Sequence, residues 1–200
     1  MEQKLSIKTS PLRIIRDQHI AAVEQGLSAI NQDAFERAAF IIKFAIDTHH
    51  TIYTIGNGAS AAIAQHWACD YTKGCTDLNR DRKVRVISLA ANIPLMTAIS
   101  NDVSYDEVYS YQIERVCDQQ DVLIAISSSG NSSNIVKAIE AAIIQKMYVI
   151  ALTGFDGGKV KELTNAYARG ICVHVPIHEY EATEDCHQAI MHMIAKYLRQ

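Results

Sequence analysis

Five short runs of apolar, largely β-branched residues alternate along this chain with longer stretches of helical character, and that alternation restricts the fold more than any other feature. The runs are Thr51-Ile52-Tyr53-Thr54-Ile55, Val84-Arg85-Val86-Ile87-Ser88-Leu89, Asp121-Val122-Leu123-Ile124-Ala125-Ile126, Tyr148-Val149-Ile150-Ala151-Leu152 and Ile171-Cys172-Val173-His174-Val175. The first ends at Gly56-Asn57-Gly58 and leads into an Ala-rich helix, and the same strand, turn, helix unit recurs down to a closing helix from about Glu181 to Leu198. Strands that read as continuous apolar runs and alternate with helices belong in a parallel sheet covered on both faces. The expected fold is α/β, a doubly wound parallel sheet of five strands flanked by helices. In such sheets ligands bind beyond the carboxyl ends of the strands, where the winding reverses.

Before the first strand stands a helical pair. Ser10-Pro11 is a helix start, with Ser as cap and Pro in the first turn, and that helix should run to about Ile30. Asn31 or Asp33 can start a second, whose Phe35, Ala38, Ala39, Ile42 and Ala45 recur at helical spacing as far as about His49. We therefore expect a single domain over residues 1–200, with residues 1–50 as a helical pair for association and 51–200 as the sandwich.

The sequence has 200 residues, 48% of them hydrophobic and 20% charged, which suits one substantial core. A net charge of -3 gives no basic field for a polyanion, so nucleic acid is not expected as a partner. Met1 to Leu12 has no long apolar core, and no stretch approaches the roughly 20 apolar residues of a membrane span. The five cysteines include no C-x-x-C pair, which fits reduced thiols and a cytoplasmic setting. Cys69 and Cys186 are read as small core residues.

The segment with the most chemistry is Ser127-Ser128-Ser129-Gly130-Asn131-Ser132. It links a buried strand to a helix, so the unpaired N–H groups and dipole of that helix start, together with serine hydroxyls, favour an anion. A phosphate fits there without a lysine, and the missing G-x-x-x-x-G-K-[ST] pattern excludes a P-loop nucleotide site. Serines that only cap the helix and close the turn are the plainer alternative.

Taken with Gly56-Asn57-Gly58-Ala59-Ser60-Ala61-Ala62, Ser100-Asn101-Asp102 and Leu152-Thr153-Gly154-Phe155-Asp156-Gly157-Gly158, this loop resembles the motifs of the phosphoheptose isomerases, proteins of the SIS fold, in the family's order. The resemblance covers nearly the whole chain, and the serine loop is similar to the family's S-T-S-G-N-S. It implies isomerisation of sedoheptulose 7-phosphate to D-glycero-D-manno-heptose 7-phosphate for surface polysaccharide, a homotetramer, and zinc at the site. By this likeness Ser60, Asp102, Ser127, Ser128, Ser129 and Ser132 contact the sugar phosphate, with Asn57 and Glu184 beside them. Asp70 and His192 take the catalytic positions, and His66, Asp70, Glu184 and His192 the metal positions.

The residue types suit that chemistry. Moving a proton between neighbouring carbons through an enediol needs a base at carbon and an acid at oxygen. His66 and Asp70 are four apart on a predicted helix and so share one face, whereas Glu184 and His192 are separated by about two turns. His187 is read as an ordinary helix-surface or core histidine. Two departures touch the chemistry: Asp70 stands where the family has Glu, and Glu184-Asp185 where it has Gln-Glu. The same fold also includes a tetrameric regulator that binds the bacterial replication initiator and sugar-phosphate-sensing repressors. The first of these lacks the acid matching Asp70 and the histidine matching His192, so both residues here favour catalysis.

Overall fold

The computed structural model describes residues 10–76 and 83–200, so most of the leading segment Met1 to Leu12 lies outside the described residues. The helical pair forms as α1 (Pro11–Ser28) and α2 (Gln32–Asp47). Ser10 Oγ accepts from the Arg13 N–H at 3.3 Å and Asn31 Oδ1 from the Ala34 N–H at 2.9 Å, each occupying one of the amides that a helix start leaves unpaired.

Every apolar run becomes a strand: β1 (Ile52–Gly56), β2 (Val86–Ser88), β3 (Val122–Ser127), β4 (Tyr148–Thr153) and β5 (Gly170–His174), all parallel in the order β2-β1-β3-β4-β5. The edge strand β2 keeps only three residues of its six-residue run, with Ile87 facing outward at 48% exposure. The helices are α3 (Ala59–Gly74), α4 (Ile93–Asp102), α5 (Ser110–Val116), α6 (Ser133–Ile144), α7 (Gly158–Ala166) and α8 (Tyr180–Leu198), with a 3-10 turn over Tyr105–Glu107. From β1 the chain steps outward to β2, then returns to β3 on the other side of β1 and continues to β5. The winding thus reverses between β1 and β3.

Successive strand residues point to opposite faces, which divides the core in two. Ile124, Ile126, Ile150, Leu152 and Val173 pack beneath α2, α3 and α8 with Trp67 and Tyr71. Leu123, Ala125, Val149 and Ala151 pack on the other face against Ile113, Ile135, Ile139 and Val160 from α5, α6 and α7. Trp67 and Tyr71 are fully buried, each removing on the order of 200 Å² from water, an upper estimate of roughly 5 kcal/mol apiece at about 25 cal/mol per Å². Cys186 is buried as expected, but Cys69 is exposed, because it lies on the side of α3 away from Trp67. No helix among the described residues is long and apolar enough to cross a membrane.

His187 lies wholly inside, on the core face of α8, and neither ring nitrogen has a hydrogen-bond partner. Burial drives its pKa down to about 4, with His174 acting in the same sense and the Thr153 backbone opposing it. An unfolded chain takes up the proton near pH 6.5 while the native chain refuses it, so this residue's contribution is complete above that pH and is lost as pH falls from about 6.5 toward 4. Urea unfolding across this range should show a falling midpoint in the wild type and a shallower fall in His187→Leu, which carries no proton and fills similar space; parallel profiles would refute the assignment.

Candidate functional site

α3 and α8 lie side by side, and the way each buries its apolar stripe decides which polar residues face each other. α3 turns Ile63, Ala64, Trp67 and Tyr71 inward, so His66 and Asp70, each one position before a core aromatic, are rotated by about 100° to the rim. α8 buries His187, Ile190, Met191 and Ile194, which sets Gln188 and His192, one position after His187 and Met191, on the facing rim. The Tyr71 hydroxyl donates to the Met191 carbonyl at 3.3 Å and holds the two helices in this register.

Across the seam His66 Nε2 stands 3.2 Å from Asp70 Oδ1, and His192 Nε2 stands 3.8 Å from Asp70 Oδ2. The two imidazoles meet edge to face with centroids 5.2 Å apart. Arg199 reaches the same carboxylate, Nη2 to Oδ2 3.9 Å, across Gly74, where a side chain would collide with the guanidinium. Donor atoms of His66, Asp70 and His192 lie within 4.8 Å of one another. Two imidazoles and a carboxylate are the usual donors for zinc, whose bonds of about 2.0–2.2 Å put tetrahedral ligands roughly 3.3 Å apart, so small side-chain adjustments fit the group to the ion.

Glu184, expected among the ligands, does not join this group. It precedes His192 by eight residues, about 12 Å along the α8 axis, and burial raises its pKa, with Glu181 and Asp185 adding to the effect. The polar residue that does join is one the sequence reading passed over. Gln188 Nε2 lies 2.8 Å from His66 Nδ1 and 3.2 Å from His192 Nε2. The available signal was spacing: Gln188 and His192 repeat on α8 the four-residue separation of His66 and Asp70 on α3, whereas Glu184 is a full turn further away.

The serine segment forms a second centre at the carboxyl ends of β1, β3 and β4. Ser127 ends β3, and Ser127 and Ser128 are each 5% exposed, the Ser128 hydroxyl being buried without a partner. Ser132 occupies the N-cap of α6, yet its side chain makes no capping bond, so the amides of that helix start are not taken by it. Ser129, in contrast, serves the turn, with Oγ accepting from the Asn131 N–H at 3.3 Å. The loop is buttressed by the segment after β4: the Gly154 N–H donates to the Ser128 carbonyl at 2.8 Å, and the Lys159 N–H to Asn131 Oδ1 at 3.0 Å.

Asn57 acts as a latch over the reversal point. Its side-chain amide exchanges two hydrogen bonds with that of Asn134, at 2.8 and 2.9 Å, and accepts another from the Tyr105 hydroxyl at 3.1 Å. Ser60, 5% exposed, lies in the first turn of α3 on the same side. Asp102 ends α4, three residues before Tyr105, and is exposed. The latch ties the start of α3 to the start of α6, while Asp70 lies ten residues beyond Ser60, about 15 Å down α3. Within one chain the serine centre therefore lies at the start of α3, and the His66, Asp70, His192 centre lies along its second half.

With this geometry established, likeness to known proteins is informative. The SIS domain family matches residues 18–154. The chain is 35% identical over 176 residues to phosphoheptose isomerase of Helicobacter pylori, covering 88% of each protein. It is 38% identical over 159 residues to the DnaA initiator-associating protein DiaA of Yersinia enterocolitica, covering 78% of this chain and 77% of that protein. Among solved structures, phosphoheptose isomerase GmhA from Neisseria gonorrhoeae superposes with a TM-score of 0.84 at 30% identity, covering 94% of this chain and 96% of that one.

Gly130 is the residue on which the serine loop turns. Its φ of +68° lies in the left-handed region, and a Cβ there would overlap the Gly157 carbonyl oxygen. Gly130→Ala should cost at least about 1–3 kcal/mol from backbone strain alone, read as a lowered urea midpoint, and should weaken binding of inorganic phosphate in calorimetry. Wild-type stability and binding in this variant would contradict the loop geometry.

Proposed function

Because the chain belongs to the SIS domain family and is a sugar-phosphate isomerase of the phosphoheptose isomerase kind, we propose that it converts sedoheptulose 7-phosphate to D-glycero-D-manno-heptose 7-phosphate, for surface polysaccharide, in the cytoplasm. The observation that carries this reading is the meeting of His66, Asp70 and His192 across the α3–α8 seam, in a fold that also carries an anion-ready serine loop. A surface that served only to bind another protein would have no need of a carboxylate flanked by two imidazoles.

In this reading the phosphate is held by the amides at the start of α6 with Ser127, Ser128, Ser129 and Ser132, while Ser60 and Asp102 border the sugar chain and Glu184 lies at the same end of α8. Asp70 takes the proton from C1 of the ketose as His192 protonates the oxygen on C2, giving the enediol. His192 then recovers a proton from the C1 hydroxyl while Asp70 returns its proton to C2, which leaves the aldehyde at C1 and no net change in atoms. His66, Asp70 and His192 are the residues that would hold zinc, which when bound supplies a Lewis acid that polarises substrate oxygen.

Asp70 lies about 15 Å along α3 from Ser60, and the reading is completed by a homotetramer in which the serine loop of one copy faces the Asp70 centre of another. Exposed apolar side chains favour such association: Leu12 and Ile15 on α1 are 75% and 60% exposed and Phe40 on α2 is 68% exposed. A cavity of about 600 Å³ between α2 and α8, lined by Phe35, Phe40, Met193 and Tyr197 among others, offers a seat for the α1 side chains of a second copy.

The 38% identity to a DnaA initiator-associating protein supports a second reading, a regulator that binds the replication initiator. Incubation with sedoheptulose 7-phosphate and zinc separates the two. Turnover is expected, and Asp70→Asn should lower kcat by about 10²–10⁴-fold while leaving inorganic phosphate binding intact. No turnover on this sugar or on pentose and hexose phosphates, with capture of purified initiator protein instead, would reverse the ranking.

A further inference from the structure

The seam between α3 and α8 holds one polar group that neither the proton transfers nor the three-donor set uses. Gln188 extends from the middle of α8, one turn before His192, and its amide nitrogen lies 2.8 Å from one imidazole and 3.2 Å from the other. A side-chain NH₂ carries two hydrogens and no lone pair to accept with. In this arrangement each hydrogen points at an imidazole lone pair, on His66 Nδ1 and His192 Nε2. The other ring nitrogen of His66 then carries the proton that faces Asp70 Oδ1 at 3.2 Å. The amide therefore occupies the place from which a cation would draw the His192 lone pair.

A cation at that place makes the orientation untenable, because N–H dipoles would face a positive charge. The remedy lies within the same side chain: half a turn about the last bond exchanges Nε2 for Oε1 and presents an oxygen donor at the same distance, with the helix backbone unmoved. We infer that Gln188 is the fourth donor of the His66, Asp70, His192 group, its amide nitrogen bridging the imidazoles in the arrangement described and its amide oxygen closing the set around a divalent cation when one is bound. Gln188 does this without adding charge beside Asp70, whose carboxylate already answers to Arg199 at 3.9 Å. The assignment moves the fourth ligand from Glu184 to a residue one turn closer to His192, in keeping with the four-residue pairing of both helices.

This inference rests on the cation reading of the site and not on the identity of the sugar, so binding rather than turnover tests it. Purified full-length protein, stripped with a chelator, is titrated with Co²⁺ while the visible d–d band is recorded, and Zn²⁺ affinity is measured by competition with a chelating dye. Gln188→Ala should weaken both metals by at least about tenfold and change the intensity of the Co²⁺ band as water replaces the amide, and Gln188→Glu should restore binding. Thermal unfolding of the metal-free variants should match the wild type, since residue 188 lies at the rim of the helix and alanine favours helix. Affinity and spectrum indistinguishable from wild type in Gln188→Ala would overturn the inference while leaving the three-donor site standing. Failure of the wild type to bind either metal would overturn both. Metal binding that depends on Gln188 in a protein with no isomerase activity would leave the inference intact and count against the enzyme reading alone.

Discussion

Enclosure of β3 is the constraint on which the other features depend. Every residue from Val122 to Ile126 is buried at 0% exposure, with β1 on one side, β4 on the other and a layer of helices on each face. A parallel strand in that position has no solvent-facing side on which to place polar chemistry, so the chemistry moves to its ends. At the carboxyl end the chain leaves through serines and enters α6, where unpaired amides and the helix dipole are directed at the reversal point between β1 and β3. The same parallel pairing brings the turn after β1 alongside, which is why Asn57 can close on Asn134 although 77 residues separate them.

The second centre depends on a different consequence of the same layering. α3 and α8 cover the same face of the sheet, and both are pinned by large inward side chains: Trp67 and Tyr71 on one helix, Ile190, Met191 and Ile194 on the other. Helix geometry then leaves no choice about what sits on the rims. Residues next to the core stripe, His66 and Asp70 on α3, Gln188 and His192 on α8, are carried to the seam because their neighbours are buried. The stability that holds the group together thus comes from apolar burial one position away, and the half-exposed contact of His66 with Asp70 adds little of its own.

Much of this was legible before the structure, for identifiable physical reasons. Strands buried on both faces show up as unbroken apolar runs, so all five were found; the capped helix start at Ser10 was located to the residue, while the second was narrowed to Asn31 or Asp33, of which Asn31 is the cap. The crossover from β2 to β3 was harder, because α4 and α5 are short and their burial depends on distant partners such as Tyr53 and Leu123. Within the site, the grouping of His66, Asp70 and His192 followed from periodicity plus family likeness. Two assignments did not transfer so directly: Ser129 is occupied by the turn and Asn57 by its latch with Asn134, because hydroxyls and amides satisfy neighbouring backbone and side-chain groups whenever geometry allows.

Glu184 and Gln188 show why the remainder could not be read by analogy alone. The resemblance implied Glu at position 70 and Gln at position 184, and this chain has Asp70 and Glu184 instead. Shortening the acid at position 70 by one methylene withdraws the carboxylate roughly 1.5 Å toward α3. A group drawn toward α3 is reached more easily from the turn of α8 directly beside His192 than from the turn beyond it, and it is Gln188 that makes contact with both imidazoles. Burial, with Glu181 and Asp185 adding to it, favours the protonated form of Glu184. Gln188 thus meets both imidazoles from the turn of α8 next to His192, while Glu184 stands one turn further off with Glu181 and Asp185.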